Sequence, residues 1–161
     1  MRIGISSALA ASFMMFVDGG LAGGQEYETV AVLSGIARVR DGDGVLFGDV
    51  EVRLQGIAAP EDSPANREPG GPESTANLRA LVEGKFLVCH LDGTTGGNRY
   101  RPVGICYLGD LDIGRHQIAT GHARDCPRFS GGRYADAEEA ATRVGHDLGA
   151  IYALPAYCGQ R

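Results

Sequence analysis

The sequence predicts a mainly β domain with α-helices packed on it, a five-stranded Greek-key barrel carrying about three helices. Three observations lead there. Short runs that alternate apolar and polar residues recur through the middle of the chain, and Asp-Gly or Gly/Pro punctuation separates them. Helical periodicity is confined to three segments, one after the third strand and two toward the end. With 161 residues, 43% of them apolar, the chain suits one compact domain with one sizeable core.

Residues 1–22 read as a secretory signal. Arg2 is a minimal basic start, Ile3 to Val17 an apolar run, and GGLAGG a small-residue region with cleavage expected after Ala22. The run is shorter than the ~20 apolar residues that span a bilayer, and Ser6, Ser7 and Ser12 interrupt it. Residues 23–29 are then a short linker, 30–150 the folded domain and 151–161 a tail. The expected location is secreted or periplasmic.

VAVLSGIARVR, starting at Val30, has the β-branched content of a strand, and DGDG at 41–44 supplies a tight turn, so a hairpin follows. In DVEVRLQGI, Val50, Val52 and Leu54 alternate with Glu51, Arg53 and Gln55, which sets the first three toward the core and the others on a polar face. Residues 60–72 hold four of the seven prolines and two glycines, the composition of an irregular loop. A helix starts where that loop ends: Pro72 and Glu73 suit its first turn, Leu78, Leu81 and Val82 make its apolar stripe, and Gly84 suits its C-terminal cap. KFLVCHL and RPVGICYL read as two further strands. A short helix is expected in GRHQIATGHA. A longer one is expected in YADAEEAATRVG, with Tyr134, Ala137, Ala141 and Val144 on one side and Gly145 as the stop. Strands and helices in this order fit the oligonucleotide/oligosaccharide-binding (OB-fold) barrel best.

The net charge is −5, and removing residues 1–22 leaves it unchanged, so bulk charge does not advertise a nucleic-acid binder. Its distribution differs: residues 99–133 hold six arginines against three aspartates, enough for one basic lip. Lys85 is the only lysine, so cationic recognition rests on planar guanidinium groups. Asp41 and Asp43 could offer carboxylates to a hard cation, but an EF-hand loop fails at Val45 and Val52, where it needs oxygen ligands. Cys89, Cys106, Cys126 and Cys158 are an even set in a chain sent to an oxidising compartment, so two disulfides are expected, with three pairings open. No C-x-x-C or H-x-x-x-H spacing supports zinc.

The order of these features carries a resemblance. ARVRDGDGVLF, VRLQGIAAPE, NRYRPVGICYL and TGHARDCPRFSGGRYADAEEAA resemble the thermonuclease (staphylococcal-nuclease-like) family over roughly residues 30–150. The resemblance implies a calcium-dependent phosphodiesterase on a five-stranded barrel that cuts DNA or RNA at the 5′ P–O bond. By position, Asp43 would be a calcium ligand, Asp41 a nearby carboxylate and Ala59 the source of a backbone carbonyl. Arg53 would hold the phosphate, Glu61 would orient or deprotonate the attacking water, and Arg101 would be the second arginine. The family's glycine between Tyr100 and that arginine is absent here. Tyr100 resembles the tyrosine that lines the nucleotide pocket. At position 58 the family places an aspartate that binds calcium directly; Ala58 stands there, so calcium is expected to bind weakly.

The resemblance leaves a second function open. A non-catalytic binding or accessory module of the cell envelope would use the same cleft, and some relatives of this appearance are named exopolysaccharide (succinoglycan) biosynthesis proteins. Single-stranded DNA or RNA is the expected partner, and a monomer is expected. His122, in TGHARDC, could move a proton if it lies near the pocket. Cys89 and Cys106 fall on predicted neighbouring strands and are candidates for one bridge, which leaves Cys126 to tie the C-terminal tail through Cys158.

Overall fold

The computed structural model describes residues 27–97 and 100–159. The signal segment and Arg99 lie outside the described residues. The chain is a mixed α/β domain in which sheet predominates. Its strands are β1 (Ala31–Ile36), β2 (Arg38–Asp41), β3 (Gly44–Phe47), β4 (Val50–Leu54), β5 (Ile57–Ala58), β6 (Phe86–Gly96), β7 (Arg101–Leu108), β8 (Leu111–Asp112) and β9 (Arg124–Asp125). Its helices are α1 (Gly71–Val82), α2 (Ile113–Ala119), the single turn α3 (Pro127–Ser130) and α4 (Ala135–Arg143), with 3-10 turns at Leu148–Ala150 and Ala156–Cys158.

The main sheet runs β1-β6-β7-β4-β3-β2, with β8 added to β7, while β5 and β9 form a separate two-stranded ladder. All pairings are antiparallel except β4 with β7. VAVLSGIARVR, expected as one strand, divides at Ala37: its first half pairs with β6 and its second with β3. No ladder joins the two ends of the path among the described residues, so the sheet is not closed by hydrogen bonds. Those two ends, β1 and β2, are consecutive in sequence with only Ala37 between them.

Alternation in β4 works as expected for Val52 and Leu54, which are buried, but Val50 at the hairpin end is 43% exposed. Gln55, expected on the polar face, is buried; its amide donates to the Phe129 carbonyl at 2.6 Å and its carbonyl accepts from Arg133 at 3.0 Å. A satisfied amide can be buried where an unpaired one cannot. Helix α1 sets Leu78 and Val82 into the core and ends before Gly84, whose φ of 72° is the left-handed conformation expected of a cap. Tyr134, at the N-cap of α4, and Ala137 and Ala141 within it are buried, whereas Val144 lies past the last turn and is 71% exposed.

Both disulfides form. Cys89–Cys106 links directly opposed residues of β6 and β7 inside the main core. Cys126–Cys158 ties the C-terminal tail to the start of α3 and sits in a second apolar cluster with Ala58, Leu148 and Tyr152, flanked by Leu154. That cluster lies at the β5 end of the molecule, beside the expected site.

Candidate functional site

The Asp41–Gly44 turn is fixed from below. Gln117 of α2, fully buried, donates to the Gly42 carbonyl at 2.9 Å and to the Ser74 carbonyl at 3.1 Å, and its own carbonyl accepts from Asn77 at 2.6 Å. Ser74 in turn donates to the His122 carbonyl at 2.6 Å. A Cβ at Gly42 would collide with the Ser74 hydroxyl and come within 2.8 Å of the Ala59 methyl. The turn therefore presses against α1 and against Ala59, just past β5, at a point only glycine can occupy.

This packing delivers Asp43 to Arg53. The two form a bidentate pair, Nη1 to Oδ1 at 3.0 Å and Nη2 to Oδ2 at 2.9 Å, and Asp43 is only 6% exposed. The Ala59 backbone favours the ionised form of that carboxylate as well. Burial pushes the Asp43 carboxyl up to about 6, against the pull of Arg53 and with the help of Asp41. The group is still ionised at neutral pH, as its fork-on-fork pairing requires. Arg101 also meets a carboxylate, through a single contact: Nη1 donates to Glu51 Oε1 at 2.9 Å, with both side chains largely buried.

Arg53, Arg101 and Glu61 line one cleft of about 920 Å³. Glu61 is exposed, and its backbone is held by Glu68, whose carboxylate accepts from the Glu61 N–H at 2.9 Å and whose N–H donates to the Glu61 carbonyl at 2.8 Å. The loop at 60–70 is irregular, as expected, yet pinned at the residue that matters. Asp43 lies behind Arg53 rather than on the cleft surface, and Asp41 bonds back to the Asp43 N–H at 3.4 Å. Tyr100 is 78% exposed at a φ of 51° and does not line the cleft. His122 does not line it either; its Nδ1 lies 3.0 Å from the Thr120 hydroxyl, and burial pulls its pKa down.

The donors that a hard cation would need do not fit as the chain stands. Both Asp43 oxygens face Arg53, and the Ala59 carbonyl accepts from the Tyr152 hydroxyl at 3.3 Å. Ala58 is fully buried and its methyl packs into the tail cluster. Among the described residues no group of three or more His, Cys, Asp or Glu could hold a metal ion. Asp62 pairs with Arg67 at 3.2 Å.

The residues that sequence reasoning missed come from the tail and from α3. Tyr157, one residue before the bridging Cys158, lies beside the Arg53 guanidinium and forms part of the cleft wall; burial and nearby carboxylates raise its pKa, and Arg53 opposes them. Its ring centroid is 6.5 Å from that of Phe129. Arg133 and Gln55 line the same cleft together with Tyr27, whose hydroxyl donates to the His90 carbonyl at 2.6 Å. The expected Cys126–Cys158 bridge was the available signal for Tyr157, since it brings the tail to α3.

No protein-family model matches the chain, and no curated protein matches it. Fold and site together define a class: a mixed α/β domain with two disulfides and an arginine-lined cleft. Among the described residues no helix is long and apolar enough to cross a membrane.

Proposed function

We propose that this chain is a thermonuclease-like phosphodiesterase, secreted or periplasmic, that takes single-stranded DNA or RNA in the arginine-lined cleft. The observation that carries the reading is that Arg101, distant in sequence from Arg53 and Glu61, lines one cavity with them. Two guanidinium groups on one phosphodiester would neutralise the charge that grows on its oxygens in the transition state. Glu61, exposed in the same cavity, is the base that would take the proton from an attacking water. The barrel belongs to the same proposal. With β1 and β2 separated only by Ala37, one bent strand would serve both edges of the sheet, as in an OB-type barrel.

The buried Ala58 methyl favours a second reading, in which the same cleft binds a phosphodiester or another anionic polymer without cutting it. An accessory role in the cell envelope, including exopolysaccharide synthesis, belongs here. The test uses the oxidised mature protein and a fluorescently quenched single-stranded DNA with calcium, magnesium, manganese or chelator. Cleavage that falls by about 10²–10³ in Arg53→Ala and in Glu61→Ala supports the first reading. Binding that survives in chelator with no cleavage in any arm supports the second. Neither binding nor cleavage overturns both.

A further inference from the structure

Four arginines line the cleft, Arg53, Arg101, Arg128 and Arg133, and they are not equivalent; the Arg128 guanidinium lies 5.6 Å from the ring centroid of its neighbour Phe129. Arg53 and Arg101 each face a buried carboxylate, Asp43 and Glu51. Arg133 has no ion pair with a carboxylate among the described residues, yet it is held in place. Its Nη1 donates to Gln55 Oε1 at 3.0 Å, and its guanidinium lies 5.0 Å from the Tyr27 ring centroid and 5.6 Å from that of Tyr134. Gln55 is itself fixed by its bond to the Phe129 carbonyl, and Tyr134 by its bond to Asp112 at 2.9 Å.

An arginine has five N–H donors in a rigid fork, so the contacts with Gln55 and the Tyr134 hydroxyl leave others for a ligand. Fixing the plane between two rings and an amide removes much of the entropy that a flexible arginine loses on binding. Two acids share this end of the cleft. Asp92 is turned onto Thr94, accepting from its N–H at 2.8 Å and its hydroxyl at 2.6 Å, and Glu28 is exposed on the rim. Charge at the rim is screened by solvent more than the half-buried Arg133.

We propose that Arg133, framed by Gln55, Tyr27 and Tyr134, is a second phosphate subsite of the cleft, which takes the phosphate next to the one held by Arg53 and Arg101. This rests on the phosphodiester reading above and extends it from one phosphate to two. The ligand class is then a phosphodiester chain or a nucleotide with a terminal phosphate, in preference to a singly charged dinucleoside.

The experiment titrates fluorescein-labelled oligo-dT into the oxidised protein in chelator, by anisotropy, at several salt concentrations. It compares wild type, Arg133→Gln, Arg133→Lys and a control, Arg143→Gln, on the exposed face of α4. Loss of one phosphate contact should flatten the slope of log affinity against log salt by about 0.7 in Arg133→Gln and leave it unchanged in Arg133→Lys and the control. In competition, phosphorylating either end of the dinucleotide TpT should strengthen binding to wild type by roughly tenfold and to Arg133→Gln hardly at all. A merely structural role would lower affinity without changing the slope. Oligo-dT binding with equal slopes and no gain from the terminal phosphate overturns this inference alone. Failure of wild type to bind oligo-dT overturns the phosphodiester reading, and this inference with it.

Discussion

Ala58→Asp restores the carboxylate that the resemblance expects, and the structure says what it will meet. Position 58 is fully buried and packs with Cys126, Leu148, Tyr152 and Cys158. The neighbouring Ala59 backbone already faces Asp43, and the Ala59 carbonyl already accepts from Tyr152. A carboxyl without partners costs roughly 1–3 kcal/mol, and forcing its extra atoms into a packed cluster about as much again, so a loss of about 2–6 kcal/mol is expected. At about 3–4 °C per kcal/mol for a domain of this size, the melting temperature should fall by about 7–20 °C. Calorimetry of the oxidised protein at neutral pH in chelator reads it. The loss should shrink as the pH falls, because a buried carboxyl is less costly neutral than charged. A fall of less than about 3 °C at neutral pH would refute the claim that the tail seals position 58.

Two further outcomes are expected. Replacing Cys126 and Cys158 together by serine opens a loop with a sequence separation of 32, which chain entropy alone values at roughly 3–4 kcal/mol; chemical denaturation that finds less than about 1 kcal/mol would show a tail held by packing instead. The Asp43 carboxyl is pushed up to about 6 from an unfolded value of 3.8, so the native state binds more protons between those values and this group's contribution to stability falls as the pH rises through that window. Urea unfolding at intervals from pH 4 to 7 should therefore show a steeper decline in the wild type than in Asp43→Asn, by up to about 1.4 kcal/mol per pH unit; parallel profiles would assign the pH dependence to other groups.

Much of the framework was legible because it rests on local signals. The Asp-Gly turn, the β4 alternation around Arg53, the Gly84 stop and β7 at Arg101–Leu108 each follow from neighbours within a few residues. The break at Ala37 was not legible, because it arises from which strands the two halves of one run pair with. Gln117 shows the same limit inside the site. Nothing in GRHQIATGHA marks its glutamine as the buried amide that seats the Asp41–Gly44 turn, since its partners Gly42 and Ser74 are brought there by tertiary packing. Arg53, Glu61 and Arg101 could be read as a set through the family resemblance, whereas Arg133 and Tyr157 could be assigned only once α3 and the tail were seen to wall the cleft.

Ala58 is best understood together with the tail. The Cys126–Cys158 bridge, Leu148 and Tyr152 close over position 58 as an apolar cap, and Tyr152 reaches the Ala59 carbonyl beneath it. A carboxylate at 58 would need solvent or a cation at the place this cap occupies, so the cap and the carboxylate exclude each other. The small side chain is thus a condition for the tail to dock, and the docked tail sets Tyr157 beside Arg53. The same argument gives a coupling that can be measured. In a background without the Cys126–Cys158 bridge the tail can lift away, and Ala58→Asp should then cost less than in the bridged protein. A double-mutant cycle that finds the two changes additive to within about 0.5 kcal/mol would separate the tail from position 58 and remove the reason for the missing aspartate.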